Sequence, residues 1–309
     1  MDNNDLFLGL DTSNYTTSAA IINCNNEILQ DKRIQLIVGK GERGLRQSSA
    51  LYQHWENLPL LLDPLLKRYS KQLKAVCVSQ RPRPIKGSYM PVFNAGNWVA
   101  KIVASTLNIP MFGTSHQEGH LKSGAYNTSI NFAKPLIAAH ISGGTLELIA
   151  LDKNRFEIIG GTKDISYGQI LDRIGVSLGL SFPAGKEMDT MAISSNLKGI
   201  KNPLTAVFFK ETWINLSGAE TQIECILKNY SKEEISAFIF ERIAENLILI
   251  LNNARKIYSV DQILITGGVA SSIYLRKKLT EAGFILGNLE LCSDNAVGVA
   301  LLKGKSLCQ

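Results

Sequence analysis

The sequence has little that would build a covalent or thiolate-bridged scaffold. Its five cysteines, Cys24, Cys77, Cys225, Cys292 and Cys308, are scattered and odd in number, and no two form a Cys-x-x-Cys pair. This excludes a disulfide framework or a thiolate zinc site as the organising feature. No uncharged apolar run approaches the ~18 residues of a membrane span, so no membrane partner is expected. Met1-Asp2-Asn3-Asn4-Asp5 is acidic and polar, unlike a secretory leader, and a cytoplasmic location is expected. Low-complexity stretches and long linkers are missing too. The 309 residues are enough for two domains, and these are expected to pack closely, with a ligand cleft between them.

Histidine is also scarce, which makes its placement informative. Two of the four histidines fall within five residues, in Thr114-Ser115-His116-Gln117-Glu118-Gly119-His120. The stretch follows the short apolar run 109–112 and reads as a helix start, with Thr114 or Ser115 as N-cap. On a helix, His116 and His120 share a face one turn apart, where both can bind one metal ion. The alternative is two solvated helix histidines. A metalloprotease of the His-Glu-x-x-His type is disfavoured. Its general base directly follows the first histidine, where this chain has Gln117, and Glu118 is rotated away by about 100°.

A hairpin pattern occurs twice. Leu6 to Leu10 is an apolar strand, Asp11 to Thr17 a turn rich in hydroxyls, and Ser18 to Ile22 a returning strand. Leu136 to Ile141, Ser142-Gly143-Gly144-Thr145 and Leu146 to Leu151 repeat the plan about 130 residues later, which predicts two halves of like topology. Backbone N–H groups of such a turn can cradle phosphate oxygens; the plainer reading is a tight hairpin. A strand over 262–266 ends in Gly267-Gly268-Val269-Ala270-Ser271-Ser272, either a nucleotide contact or simply a tight connection.

Between these lie a third strand over 27–38 and an apolar helical pattern over 48–69, which Pro59 and Pro64 should break. His54 in that pattern reads as a packed or capping histidine. Strands are expected at 75–79, 155–161 and 289–292, helices at 96–107, 164–180 and 234–257, and an irregular stretch with exposed Trp213 at 194–218. Ser231 and Glu234 form a capping box. A net charge of +6 and a pI of about 9.0 permit a polyanionic partner such as RNA, and the basic loops Lys40–Arg46 and Arg81–Lys86 are where such a partner would be held.

Together these motifs resemble the TsaD/Gcp family of tRNA threonylcarbamoyl transferases, once called O-sialoglycoprotein endopeptidases. The likeness runs through 11–17 (DTSNYTT), 116–120 (HQEGH), 141–145 (ISGGT), 167–175 (YGQILDRIG), 182–185 (FPAG), 216–218 (LSG), 266–272 (TGGVASS) and 292–300 (CSDNAVGVA). The resemblance implies an α/β, actin-like/Hsp70-like ATPase fold of two related mixed-sheet subdomains. These are expected over 1–132 and 133–309, with a closing helix from about 294 packing across both. It implies one divalent metal ion, Fe or Zn, on His116, His120 and Asp294. His140 stands where some members supply a tyrosine ligand, and is expected as the fourth. ATP or threonylcarbamoyl-adenylate would be held by Ser142, Gly143, Gly144, Thr145, Asp172, Gly185, Gly267, Gly268 and Ser272, with Asp172 on the ribose.

The reaction implied is metal-dependent transfer of threonylcarbamoyl from its adenylate to an adenosine of tRNA, with Asp11 as candidate general base and further pathway proteins as partners. Where the family usually has Glu, Glu and Asn, this chain has Asp11, Gln169 and Ser272, and Arg81-Pro82-Arg83-Pro84 replaces a Gly-Pro-Gly loop. The alternative reading is therefore a divergent paralogue, a metal- and nucleotide-binding regulatory partner without transferase activity.

Overall fold

The computed structural model describes residues 5–13, 15–39, 44–152, 155–197 and 199–303. The chain divides into two compact units. One comprises the described residues of Met1–Val38, Gly44–Asn127 and Leu291–Gln309, the other those of Gly39–Arg43 and Thr128–Glu290. The expected boundary near 132 left the last segment with the second half; from Leu291 onward it belongs to the first.

In chain order the first unit contains β1 (Leu6–Thr12), β2 (Thr16–Asn23), β3 (Ile28–Gln35), α1 (Gln47–Tyr69), β4 (Leu73–Arg81), α2 (Phe93–Leu107), β5 (Met111–Ser115) and α3 (His116–Gly124). The second contains β6 (Leu136–Ile141), β7 (Leu146–Asp152), β8 (Arg155–Thr162), α4 (Tyr167–Ser177), α5 (Gly185–Ser194), β9 (Phe209–Lys210), β10 (Trp213–Ile214), α6 (Ser217–Ile226), α7 (Lys232–Tyr258), β11 (Gln262–Thr266), α8 (Ile273–Glu281) and β12 (Ile285–Leu286). Finally α9 (Val297–Leu302) returns to the first.

The duplicated hairpin reflects a duplicated sheet. The first sheet runs β3-β2-β1-β4-β5, with β1 antiparallel to β2 and parallel to β4. The second contains the same order, β8-β7-β6-β11-β12, with β6 antiparallel to β7 and parallel to β11, and adds the ribbon β10-β9 at one edge. All seven residues of β1 and all six of β6 are buried, as expected of central strands covered on both faces.

Alternation along β1 sorts its side chains. Leu6, Leu8 and Leu10 join Leu58, Leu62 and Leu65 of α1 and Ala100 and Val103 of α2. Phe7 faces the opposite way, with Ala296, Val297, Ala300 and Leu301 around α9. Gly9 lies beneath α9, where a Cβ would come within 2.4 Å of the Ala296 carbonyl. Gly298 of α9 in turn meets Gly119 of α3, and a Cβ on Gly298 would stand 1.8 Å from the Gly119 carbonyl. No side chain fits at that contact, which seats α9 directly on β1 and α3.

Several local expectations need correction. Pro59 and Pro64 do not break α1, which runs through both. Both lie on its exposed side, as do Trp55 and Leu60, whose carbonyls lose their i+4 donors and can turn to water. Residues Leu289–Leu291 form a 3-10 turn, not a strand. Trp213 is half-buried in the β9-β10 ribbon, with Lys163 Nζ 5.4 Å from its ring centre. Helix α4 starts at Tyr167 because Ser166 and Gln169 close a capping box there. Asp164, expected inside the helix, instead accepts N–H bonds from Leu216 and Ser217.

Candidate metal centre and phosphate turn

Helix α3 starts where the chemistry starts. Ser115 is its N-cap, its Oγ accepting from the Glu118 N–H while Glu118 Oε2 accepts from the Ser115 N–H at 3.0 Å. The Ser115 and Thr114 hydroxyls donate to the same carboxylate oxygen. Glu118 is buried and committed to this cap, so it is no candidate for a hydrolytic base. The Pro82 carbonyl accepts from the Gln117 N–H, anchoring the Arg81–Lys86 loop to the same helix end.

The cap leaves His116 and His120 one turn apart, their ring centres 4.4 Å from each other. Asp294 comes up beside them just ahead of α9. Its Oδ1 lies 3.0 Å from His120 Nε2 and 3.6 Å from His116 Nε2, and one ligand atom from each residue falls within 4.8 Å of the others. Around a first-row ion with bonds of about 2.0–2.2 Å, tetrahedral ligands stand roughly 3.4 Å apart, so the three atoms fit. Two imidazoles and a carboxylate favour Zn²⁺ or Fe²⁺ over Mg²⁺.

Two hydrogen bonds hold this set from behind. His116 Nδ1 is 3.1 Å from each oxygen of Asp11, which is fully buried and also accepts from the Ser79 hydroxyl. With its proton on Nδ1, His116 keeps Nε2 for the centre. Ser13 Oγ donates to Asp294 Oδ2 at 2.9 Å. Burial pulls the His116 imidazolium down, but the charge and hydrogen bond of Asp11, with the charge of Asp294, hold its pKa up at about 9. His120 is lowered, first by burial and then by the charge on His116. Burial would raise Asp294, yet its bond from His120 and the charges of both rings keep it well below the usual carboxylate range. These directions favour the charged form of His116 and the neutral form of His120.

His140 lies on β6 in the second unit, buried, in register with Thr266 and Glu147. Two residues on, the Ser142 N–H bonds the Thr145 carbonyl at 2.8 Å and closes the turn. Gly143 and Gly144 are exposed, and a Cβ on either would meet nothing within 4 Å. The turn is fixed from two sides. Ser166 Oγ donates to the Gly143 carbonyl at 2.6 Å, and Gly168 lets α4 approach, since a Cβ there would be 2.4 Å from Gly143 Cα. Gly267, at φ +106°, sits against the Ile141 carbonyl, where a side chain would collide at 2.4 Å. The structure thus brings the 142–145 turn, the start of α4 and Gly267-Gly268 together.

Ser272 caps α8 and donates to Asp189 Oδ1 at 2.6 Å; Asp189 also accepts from the N–H groups of Ile273 and Tyr274. Asp172 shares the α4 face of Gly168, one turn on. Its carboxyl accepts from the Ala184 N–H beside Gly185, and burial raises its pKa against that bond. Sequence reasoning missed Ser13, Ser79 and Asp189, whose partners are remote in the chain, and Ser166, whose capping box with Gln169 was the local signal that could have found it. Of the basic loop at 40–46, Lys40 to Arg43 lie outside the described residues.

Comparison with known proteins gives this geometry a family. The family model "TsaD: tRNA N6-adenosine threonylcarbamoyltransferase" matches residues 30–301. A Listeria monocytogenes protein named tRNA N6-adenosine threonylcarbamoyltransferase is 28% identical, over 97% of this chain and 91% of its own. Among solved structures, full-length HypF in a phosphate- and nucleotide-bound form superposes with a TM-score of 0.63 at 14% identity; 97% of this chain covers 46% of that one, about half its length. Component A of the Acidaminococcus fermentans (R)-2-hydroxyglutaryl-CoA dehydratase gives 0.59 at 16% identity, covering 99% of this chain and all of that one. These likenesses establish the actin-like ATPase fold. The chain itself belongs to the TsaD family, the tRNA N6-adenosine threonylcarbamoyltransferases.

Proposed function

We propose that this protein transfers a threonylcarbamoyl group from its adenylate to an adenosine of tRNA, with a divalent ion, Fe or Zn, bound by His116, His120 and Asp294. The observation that carries the reading is the convergence of those three ligand atoms within 4.8 Å in a chain of this family. When bound, the ion supplies Lewis-acid polarisation of a carbonyl oxygen. Asp11 enters by orienting His116. It is also the candidate general base, and the protons that face its buried carboxylate are those of His116 Nδ1 and the Ser79 hydroxyl. Backbone N–H groups of the Ser142–Thr145 turn and of Gly267-Gly268 are proposed for the phosphate, since Gly143, Gly144 and Gly268 leave open space before them. Asp172 and Gly185 are proposed for the ribose side, and Ser272 supports the second loop through Asp189. His140 as a fourth ligand rests on the family resemblance.

For tRNA, Arg81, Arg83 and Lys86 on the loop tied to α3 are the proposed phosphate contacts. Partner proteins of the same pathway and a cytoplasmic location go with this proposal; no helix among the described residues is long and apolar enough to cross a membrane. The non-catalytic alternative is not favoured, because the family match spans 30–301 and Gln169 has its own place in the α4 capping box. The test is nucleoside analysis of tRNA from cells lacking the protein. Threonylcarbamoyladenosine should be lost and should return with the wild-type gene but not with His116→Ala. Unchanged modification would defeat the proposal.

A further inference from the structure

Beneath the metal ligands lies a third histidine in neither proposed site. His54 projects from the buried face of α1 between Ala50 and Leu58 and is 0% exposed. An apolar residue would fill that place at less cost, since burying a polar ring is unfavourable unless its nitrogens are bonded. Both are. Nε2 lies 2.6 Å from the Ser13 carbonyl and Nδ1 2.8 Å from Thr17 Oγ1.

The partners set the tautomer. A carbonyl only accepts, so Nε2 carries the proton and Nδ1 accepts from the Thr17 hydroxyl. Thr17 Oγ1 in turn accepts from Asn57 Nδ2 at 3.1 Å. Donation therefore runs one way, from Asn57 to Thr17 to His54 to the Ser13 carbonyl. Burial lowers the His54 pKa and keeps the ring neutral, as this direction requires.

Ser13 is where the chain of bonds meets the centre. It stands in the β1-β2 turn, 3% exposed, and its hydroxyl donates to Asp294 Oδ2 at 2.9 Å, while Oδ1 faces both histidines. The backbone of Ser13 is held by His54 and its side chain holds Asp294. Without the imidazole, the Ser13 carbonyl is buried unpaired and the turn must shift to find a donor, taking the hydroxyl with it. We propose that His54 is a positioning residue of the metal centre, acting through Ser13 to fix the Asp294 carboxylate. This rests on the reading of His116, His120 and Asp294 as metal ligands.

The test measures Zn²⁺ affinity by competition with a chromophoric chelator and records the Co²⁺ ligand-field spectrum. It uses the full chain, with the thermal midpoint of the metal-free protein measured alongside. His54→Leu, which fills the space without a donor, should bind Zn²⁺ at least tenfold more weakly and change the Co²⁺ spectrum, because loss of an outer-shell partner costs about 10–100-fold. His54→Gln, which can restore a donor near the Nε2 position, should stay within about threefold of wild type on the same scale. Ser13→Ala should weaken binding like His54→Leu, and the double variant should be no weaker than either single, since the two act in series. If His54→Leu does not fold, Thr17→Val takes its place in the same cycle, because it removes the hydroxyl that holds the ring at Nδ1 and lets the ring turn from the Ser13 carbonyl. Wild-type affinity in His54→Leu or Thr17→Val, or losses that multiply with Ser13→Ala, would overturn the proposal. A wild-type protein that takes up neither Zn²⁺ nor Co²⁺ would instead overturn the centre itself, and the inference with it.

Discussion

Gly298→Ala tests how the fold assembles the centre. The added methyl would stand 1.8 Å from the Gly119 carbonyl, against at least 3.4 Å for ordinary contact, so α9 and α3 must part by about 1.6 Å (3.4 − 1.8) along that line. Neighbouring backbone cannot yield easily, because Gly9 on β1 blocks α9 from the other side, its own Cβ position 2.4 Å from the Ala296 carbonyl. Overpacking of this kind costs about 1–3 kcal/mol. The consequence for the site is larger in proportion. Asp294 stands three residues before α9 and its Oδ1 is 3.0 Å from His120 Nε2, whereas a ligand set tolerates errors of about 0.5 Å. Zn²⁺ affinity should fall by about tenfold or more, with urea unfolding shifted by that 1–3 kcal/mol. Gly218→Ala on α6, where a Cβ meets nothing within 4 Å, is the control and should leave both unchanged or slightly improve stability. Wild-type metal affinity and stability in Gly298→Ala would refute the claim that this glycine contact seats Asp294.

Three further outcomes are expected. Gly144→Val fills the open space before the Ser142–Thr145 turn and should lower ATP affinity by about tenfold or more in calorimetry; undiminished affinity would remove the turn from the site. Burial disfavours the charged form of Asp164, but the N–H groups of Leu216 and Ser217 and the Thr162 hydroxyl outweigh it and hold its pKa well below the usual range. A depressed folded-state pKa contributes stability above the unfolded value of about 3.9, and that stability is lost as pH falls through the folded one. Asp164 is exposed, so solvent discounts the effect: Asp164→Asn should cost about 1 kcal/mol at pH 7 and progressively less below pH 4, and an equal cost at both would contradict the assignment. Finally, tRNA affinity should fall steeply with salt, and Arg83→Ala should lessen the log–log slope by about 1; a slope unaffected by Arg83 would move tRNA elsewhere.

What the sequence reveals here is what is local. The helix cap at Thr114 or Ser115, the capping box at Ser231 and the two hairpins need residues only a few positions apart, and the structure has the first cap at Ser115 and the others at those places. The histidine pair is legible for the same reason, because one helical turn fixes its geometry. Asp294 is 174 positions from His120, and the Gly119–Gly298 contact that brings it there has no local signature. Asp294 was reachable only through the family resemblance. His54 did leave a sign, a polar residue inside the apolar stripe of α1, but its partners Ser13 and Thr17 belong to the β1-β2 hairpin, 41 and 37 positions away. The prolines of α1 misled because their effect depends on which side of the helix they occupy, which the fold decides.

Anomalous X-ray scattering at the Zn and Fe edges shows whether His116, His120 and Asp294 bind one metal ion. One strong peak is expected within about 2.0–2.2 Å of His116 Nε2, His120 Nε2 and an Asp294 oxygen, absent in His116→Ala. The same map decides whether His140 stands among the ligands. A stoichiometric ion located elsewhere, or retained at full occupancy in His116→Ala, would contradict this assignment.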